Sequence, residues 1–564
     1  MKRTLYVFVT AVIVAAAAGY FYFSSMQNTA VIPPEEILPQ NTIAFIQVAG
    51  MEKKIQTLKA SRFGENLRKI DLDKLSNKLK SIDKNMQNIK SFKKVISSRV
   101  NQKAFMNIFG KDFTIAFLPS KSGSTSLLPE KLSFLSGFAV LSAPETGVDI
   151  TATLMATIPS LSKIKSTDHR GITIAEYKYD KGFNFYIASF KGYLISSASE
   201  ETLINILDSS LGNNVLATTD KFILLKKKMN INKRDSFFFF DSDRFYSSLK
   251  ELSLKYGFKK QLFKNMQIQQ LNYVASAGFQ VSDEEFKSVT IGKLRTKSKL
   301  EEIDPTSFFS MIPEDSAMVM WQNNFNLKDT IEHIINSKAK MKNFESQIVF
   351  ELGMDKKEFY ENFSGELGIL LSGVKGGGVF PVPLVSIFLN EKAADSFDKV
   401  FASVQHNSRR PISVMKKYFK DVEIKYVNLP MGGVFKPAWT KFNKRFIFAV
   451  NPDLIEKIIK AKHDSKSILN TDYYKFVAKG LPEKCNLFNF VNTNRLTDSF
   501  ITGAKGAAKF VSIQNPENAK NIGLIIDDIL IPLTDALKFY EACGQKSSYK
   551  KDIWYGTTIV KMHK

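Results

Sequence analysis

Two stretches of the chain share one pattern of apolar and polar positions: a proline, a short polar turn, and then a run of apolar residues. The first is LPQNTIAFIQV at Leu38–Val48, and the second is IPEDSAMVMWQ at Ile312–Gln322. An apolar run of this length after a turn predicts a buried strand. Because the segments that follow each stretch also match, the sequence predicts a tandem duplication.

The clearest later match is a predicted hairpin that leads into a helix. FYIASFKGYLISSASEETLINIL at Phe185–Leu207 parallels AWTKFNKRFIFAVNPDLIEKII at Ala438–Ile459. In each, two β-rich runs flank a short basic turn. Each helix is then predicted to begin after a good N-cap residue, Ser199 in the first copy and Asn451 in the second.

A polar pair follows a predicted buried strand in each copy. The pair is Asp241 and Asp243 in the first copy, and Asn492 and Asn494 in the second. Two carboxylates at a strand end could bind a cation. Because asparagine replaces both acids in the second copy, we predict instead that these residues cap the helix that follows.

An amphipathic helix is predicted from Leu72 to Ile89, where apolar residues alternate at steps of three and four. Its opposite face is a candidate basic surface, formed by Lys74, Lys78, Lys84, Lys90 and Lys94. Such a helix can lie on a membrane surface. Packing of the apolar stripe against a sheet is the alternative, and it is the one we expect.

Strand-like runs alternate with helices without the regular cadence of a parallel α/β fold, which indicates the α+β class. We predict two tandem homologous units of largely antiparallel sheet packed with helices. The first unit covers residues 37–300 and the second covers residues 301–564.

The N-terminus is predicted to be a membrane anchor. Residues 5–23 form an unbroken apolar stretch that is long enough to span a bilayer, with a cytoplasmic tail at 1–4 and a stalk at 24–36. The residues taken to mark this transmembrane helix are Leu5, Val9, Ile13, Tyr20 and Phe23. The small residues Ala16–Ala18 leave a cleaved signal peptide as the alternative. Either way, the bulk of the chain is expected outside the cytoplasm.

The net charge of +24, mostly from lysine, favours anionic surroundings such as lipid head groups, acidic polysaccharide or nucleic acid. Because the predicted topology places the chain away from nucleic acid, no nucleic-acid partner is expected. The expected partners are the lipid bilayer, through the N-terminal helix, and anionic lipids, polysaccharides or other envelope proteins.

No catalytic or metal-binding constellation stands out. The five histidines are scattered without a second ligand at metal-binding spacing, so no cofactor or metal is expected. The two cysteines, Cys485 and Cys543, each lie beside a predicted strand. They form either one disulfide bridge or two small buried thiols.

The predicted anchor, the LPQNT entry, the duplication and the passage FELGMDKKEFYENFSGELGILL at Phe350–Leu371 resemble an uncharacterised bacterial envelope family, domain of unknown function 3352. The resemblance covers nearly the whole extracytoplasmic part. It implies a single-pass protein of the bacterial inner membrane with its bulk in the periplasm, and it brings no catalytic residues. We therefore expect a non-enzymatic scaffold or binding module. The alternative is a carrier or sensor of an amphipathic or anionic envelope component such as a lipid, glycolipid or polysaccharide.

Overall fold

The computed structural model describes most of the chain with several gaps. The described residues are 32–70, 111–119, 137–143, 161–179, 183–229, 231, 234–248, 271–335, 338–352, 354–375, 381–407, 413–429, 435–515 and 522–563. Within these ranges the chain forms antiparallel strands and α-helices, with short 3-10 segments at Pro34–Glu36, Leu216–Thr218 and Ile468–Asn470.

Nineteen strands are present in the described residues. They are β1 Ala44–Ala49, β2 Asp112–Phe117, β3 Phe138–Ala143, β4 Leu161–His169, β5 Ile172–Tyr179, β6 Phe183–Phe190, β7 Tyr193–Ser197, β8 Ser236–Asp241, β9 Leu271–Ser282, β10 Glu285–Ser298, β11 Met318–Phe325, β12 Gly365–Lys375, β13 Val382–Asn390, β14 Val414–Phe419, β15 Val422–Val427, β16 Ala438–Phe442, β17 Arg445–Ala449, β18 Leu487–Asn492 and β19 Tyr540–Met562.

The described α-helices lie between these strands. They are α1 Met51–Ala60, α2 Arg62–Arg68, α3 Glu200–Leu211, α4 Asp220–Met229, α5 Thr306–Phe309, α6 Leu327–Ile335, α7 Lys338–Leu352, α8 Lys356–Asn362, α9 Ala393–Asn407, α10 Pro452–His463, α11 Asp472–Lys479, α12 Thr493–Gln514 and α13 Ile531–Leu537. A π-helical segment, Ile526–Leu530, leads into α13.

The described residues cluster into two compact units. The first draws on Met1–Gly64, Leu72–Lys297 and Lys551–Tyr555. Its strands are ordered β4-β5-β6-β7-β3-β2-β1-β8-β9-β10, so β1 is central. The buried rings of Phe45, Phe237 and Phe239 share one face of β1 and β8, because residues opposite each other in a sheet point the same way. The ring centroids of Phe237 and Phe239 lie 5.4 and 6.0 Å from that of Phe45.

The second unit draws on Glu65–Asp71, Ser298–Lys550 and Gly556–Lys564. Here β11 is central, between β12 and β18, and the order is β14-β15-β16-β17-β13-β12-β11-β18-β19. Phe309 packs edge-on against Phe488 at 4.5 Å between centroids. Gly368 on β12 admits the ring of Phe308, since a Cβ at that position would collide with the ring.

The predicted fold class of two tandem homologous units, each with its own antiparallel sheet, is wrong. All 19 strands belong to one antiparallel sheet and are not divided between two sheets. The compact units are also not tandem in sequence, because Lys551–Tyr555 belongs with the first and Glu65–Asp71 with the second. Alternation within a strand indicates which face is buried, but it does not limit where a sheet ends.

No helix in the described part of the chain is both long and apolar enough to cross a membrane. The predicted anchor at Leu5–Phe23 lies outside the described residues.

The last strand reverses direction within its own length. Lys561 forms an ion pair with Glu541, and His563 N donates to Phe539 O, so the two ends of β19 lie side by side. The reversal lies at Lys551, whose φ of +58° is in the left-handed region. This hairpin brings Ile553 and Tyr555 against the core of the first unit.

The predicted helix caps are confirmed. The side chain of Ser199 accepts a hydrogen bond from Thr202 N, and that of Asn451 accepts one from Leu454 N. Asp241 likewise accepts from Arg244 N at 3.1 Å, and Asn492 accepts from Arg495 N at 3.2 Å. Asp241 therefore caps the helical segment 242–248, and Asn492 caps α12. Asp243, the other acid of the first pair, forms an ion pair with Arg295 instead.

Candidate functional site

A cluster of buried charged side chains lies at one end of β1, on the same face as the aromatic core of the first unit. Arg234, just before β8, makes a bidentate ion pair with Glu35 at 2.9 and 2.5 Å. Its Nε and Nη2 also donate to Gln47 Oε1, at 2.9 and 2.7 Å. A fifth bond runs from Nη1 to Ile231 O at 3.3 Å. All five N–H donors of the guanidinium are therefore used.

Lys54 reaches this cluster from α1. Its side chain is only 1% exposed, and Nζ donates to Asp235 O at 2.9 Å. Burial lowers the pKa of Lys54 to about 8, while the Asp235 and Asp112 carboxylates act in the opposite direction. Removing an ammonium from water is costly, which is why burial dominates the shift.

Asp112, the first residue of β2, is the least satisfied member of the cluster. It is 3% exposed, and its Oδ1 has no hydrogen-bond partner. Burial raises the pKa of Asp112 to about 7, with Lys54 and Arg234 partly offsetting the shift. Thr114, two residues along the same face, also has a buried Oγ1 without a partner. Two neighbouring oxygens on one strand thus lack partners among the described residues.

Main-chain hydrogen bonds explain why these side chains meet. Ala49, the last residue of β1, pairs with Asp112 on β2, and its N–H donates to Asp235 O at 3.0 Å. The two carboxylates therefore flank the end of β1 on either side. The chain then turns into α1, which brings Lys54 back over this end of the sheet.

Another carboxylate occupies the corresponding position beside β11. Gln47 on β1 pairs with Thr114, and Trp321 on β11 pairs with Gly368. The same register matches Asp112 with Glu366. Glu366 is fully partnered: it accepts from Trp321 Nε1 at 2.7 Å and from Arg445 at 2.8 and 2.9 Å. A carboxylate at this position of the sheet can therefore be paired.

At the positions of the second unit that correspond to Arg234 and Glu35, the residues are apolar. Asn486 O accepts a hydrogen bond from Asn323 N in the second unit, as Asp235 O does from Ala49 N in the first. Cys485, the residue before Asn486, therefore corresponds to Arg234. Leu216 N donates to Leu38 O, and Ile468 N donates to Ile312 O, so Leu38 corresponds to Ile312. Glu35 and Phe309 each lie three residues before these acceptors and therefore correspond to each other. Both Cys485 and Phe309 are fully buried. The ionic cluster is thus a specific feature of the first unit.

A second notable surface lies on helices α6 and α7 of the second unit. Phe350 is 88% exposed and Ile334 is 76% exposed, while Ile348, on the inner side of α7, is buried. Val349 is also exposed, next to Phe350. A contiguous exposed apolar patch is typical of surfaces that bind another molecule, and Val349 and Phe350 are adjacent in the chain.

Most of the site residues predicted from the sequence lie outside the described part of the chain. The anchor markers and the candidate basic surface all lie outside the described residues: Leu5, Val9, Ile13, Tyr20, Phe23, Lys74, Lys78, Lys84, Lys90 and Lys94. These predictions stay predictions. Within the described ranges, no group of three histidine, cysteine or acidic residues is arranged to hold a metal ion.

Of the two alternatives for the cysteines, the disulfide bridge is not formed, because Cys485 and Cys543 are free thiols. Cys543 pairs with Val491, whereas Asn486, next to Cys485, bonds to Tyr549 N. About six residues of extended strand, roughly 20 Å, therefore separate the two thiols, far beyond the reach of a bridge. Burial raises the pKa of Cys485 to about 12 and that of Cys543 to about 11.

No family model, curated protein or solved structure matches the chain. The resemblance to an envelope family therefore stays a prediction from the sequence motifs alone.

The ionic cluster was missed by the sequence analysis, although one signal was available. Gln47 interrupts an apolar strand at the position where the second copy has Trp321. A polar residue in a buried strand requires a polar partner. The partner could not be named from the sequence, because Glu35 and Arg234 each lie beside a turn and resemble ordinary surface charges.

Proposed function

We propose that the chain is a membrane-anchored, non-enzymatic protein of the bacterial envelope that faces the periplasm and acts as a scaffold or binding module. The observation that carries this proposal is the pair of exposed apolar side chains on α7, Phe350 at 88% and Val349 at 47% exposure. Two large side chains of this kind expose apolar area that a partner would remove from water.

The packing of the two cores supports a binding surface over an internal ligand groove. In the first unit the ring of Phe222 lies 5.7 Å from both Phe237 and Phe239. In the second, Phe308 lies 5.1 Å from Phe388. These buried rings occupy one another's surfaces, so they do not line a cleft for an acyl chain. The carrier alternative would need a groove built from other residues.

The location of the perturbed titratable groups also supports a role without catalysis. Lys54 and Asp112 have pKa values shifted towards neutrality, which is common at active sites. Both side chains are nearly inaccessible to solvent, so a substrate could not reach them without the fold opening. We therefore assign them a role within the structure.

A photo-crosslinking experiment tests the proposal. Benzoylphenylalanine is introduced at Phe350 in the full chain, expressed in its native envelope, and the adducts are identified by mass spectrometry. Val281 is the matched control, since it is an apolar residue 56% exposed on β9 of the first unit. We expect a defined protein adduct from position 350 and none from position 281.

The other outcomes are equally informative. A lipid or glycolipid adduct specific to position 350 would favour the carrier or sensor alternative over the scaffold. Equal, diffuse labelling at both positions would show that α7 presents no particular binding surface, and the proposal would be abandoned.

A further inference from the structure

We propose that Asp112 is a buried proton-binding site whose ionisation loosens the packing of α1 on the end of β1. The inference concerns the ionic cluster of the first unit and is independent of the binding surface on α6 and α7. It is drawn from the charges, the hydrogen bonds and the comparison with Glu366.

The charges of the cluster are unbalanced within the described part of the chain. It holds the carboxylates of Glu35, Asp112 and Asp235, and the cations that pair with them or shift their pKa values are Lys54 and Arg234. Arg234 is committed to Glu35, and Lys54 contacts Asp235 through its carbonyl oxygen. One negative charge therefore remains without a counter-charge. A buried site relieves such an excess by taking up a proton.

The hydrogen bonds identify Asp112 as the residue that takes it up. Glu35 accepts two N–H groups from Arg234, and Asp235 Oδ2 accepts from Gln280 N at 2.8 Å. Asp112 Oδ1, by contrast, accepts none from the described residues. A buried ionised carboxylate loses the hydration of each oxygen that receives no donor, with nothing gained in return. The neutral carboxyl group carries no such penalty.

The position of Asp112 in the sheet does not by itself require a neutral carboxyl group. Glu366, at the corresponding position beside β11, forms an ion pair with Arg445 and also accepts a hydrogen bond from Trp321. In the first unit, Tyr193 occupies the strand position that corresponds to Arg445. Its hydroxyl donates its hydrogen bond to Ile32 O at 2.8 Å and therefore not to Asp112. Asp112 therefore lacks the arginine partner that Glu366 has at the corresponding position of the sheet.

The groups that face Asp112 come from each surrounding element. They are Lys54 on α1, Arg234 and Asp235 before β8, Glu35 in the 3-10 turn, and Tyr193 on β7. Burial raises the pKa of Asp112 from 3.8 to about 7, although the charges of Lys54 and Arg234 act to lower it. Since the folded-state pKa is the higher one, the proton stabilises the fold fully below the unfolded pKa. This stabilisation is lost as the pH rises through the folded pKa.

α1 is the helix affected, because it carries Lys54, whose charge has the largest effect on the pKa of Asp112 after burial itself. Opening of α1 would let water reach Asp112, and a hydrated carboxyl group ionises at lower pH than a buried one. Ionisation of Asp112 therefore shifts the equilibrium towards the open state of α1. Release of α1 is therefore favoured above the folded pKa of Asp112.

Hydrogen exchange of the full chain, followed by mass spectrometry, measures this release. After correction for the intrinsic exchange rate, the opening constant of α1 should rise about tenfold per pH unit between about pH 4 and about pH 7, and then level off. Asp112→Asn should abolish the slope, because the amide cannot ionise. Glu366→Gln is the matched control, and it should leave the slope of α1 unchanged.

An unchanged slope in Asp112→Asn would overturn the proposal, and so would a flat profile in the unaltered protein. If Asp112→Asn does not fold, infrared spectroscopy of the unaltered protein decides the matter. A protonated carboxyl band should persist at about pH 6 and disappear by about pH 9, since ordinary carboxyl groups are ionised well below this range. Absence of such a band at about pH 6 would equally refute a proton-binding site.

Discussion

Arg234 illustrates what a buried charge requires in this molecule. Its five hydrogen bonds satisfy every donor, and its guanidinium also lies 4.5 Å from the centroid of the Phe237 ring. The apolar Cys485 and Phe309 occupy the corresponding positions in the second unit, so the fold itself does not need an ion pair there. The pair is therefore costly to break but replaceable as a whole.

Arg234→Met should destabilise the first unit by about 3–5 kcal/mol, because it leaves Glu35 and Gln47 buried without their partner. The double variant Glu35→Met with Arg234→Met should be less destabilised than the single one, since no charge remains unpaired. Urea unfolding, followed at the transition assigned to the first unit, measures both.

The control for these variants is Lys457→Met, which removes an exposed ion pair with Asp315. It should change the stability by less than about 1 kcal/mol. A double variant at least as unstable as Arg234→Met alone would contradict the assignment of the cost to the unpaired charge.

The sequence predicted the residue-level features that depend on near neighbours. Ser199 and Asn451 cap helices through the N–H three residues ahead, so their roles are readable in a short window. Glu35 and Arg234 are 199 positions apart, and only the completed strand pairing brings them together. The ionic cluster could not be predicted because it depends on that long-range register.

At the level of elements, each hairpin and the helix after it form a local unit whose signals agree. The turn residues Lys191 and Asn443 have positive φ values of 49° and 50°, each at the sharp reversal between two short strands. Agreement between turn chemistry, alternation and capping explains why these elements were predicted correctly from the sequence.

The cap of α10 gives an element-level test. Asn451→Ala should destabilise the protein by about 1 kcal/mol, since it removes the bond from Leu454 N to Asn451 Oδ1. Asn451→Ser is the matched control and should retain most of the stability, because serine is a comparably good cap. Equal losses in the two variants, measured by thermal unfolding, would show that the side chain acts through packing and not through capping.

At the scale of the whole molecule, the sequence indicated repeated elements but not how the strands combine. Each strand was identified from its own alternation, whereas membership of one 19-stranded sheet depends on edge pairing between distant segments. Edge pairing leaves little trace in composition. This is why the predicted division into two tandem units was wrong while many of the individual strands were expected.

The predicted anchor is also tested on the whole molecule. Mass spectrometry of the protein recovered from native membranes should find an N-terminal peptide that includes Leu5–Phe23, because the apolar stretch continues past the small residues at Ala16–Ala18. An N-terminal peptide that begins at Gly19, in a soluble fraction, would instead establish cleavage and release.

The hairpin within β19 has a consequence for the order of folding. Ile553 and Tyr555 pack against the core of the first unit, and Asp552 forms an ion pair with Lys293. The segment Ser298–Lys550 of the second unit is synthesised before these residues, so the packing of the first unit is completed only after that segment has been made. Folding therefore cannot proceed strictly from the N-terminus, and such long sequence separation slows it. A chain truncated shortly before residue 551 would lack these contacts in the core of its first unit.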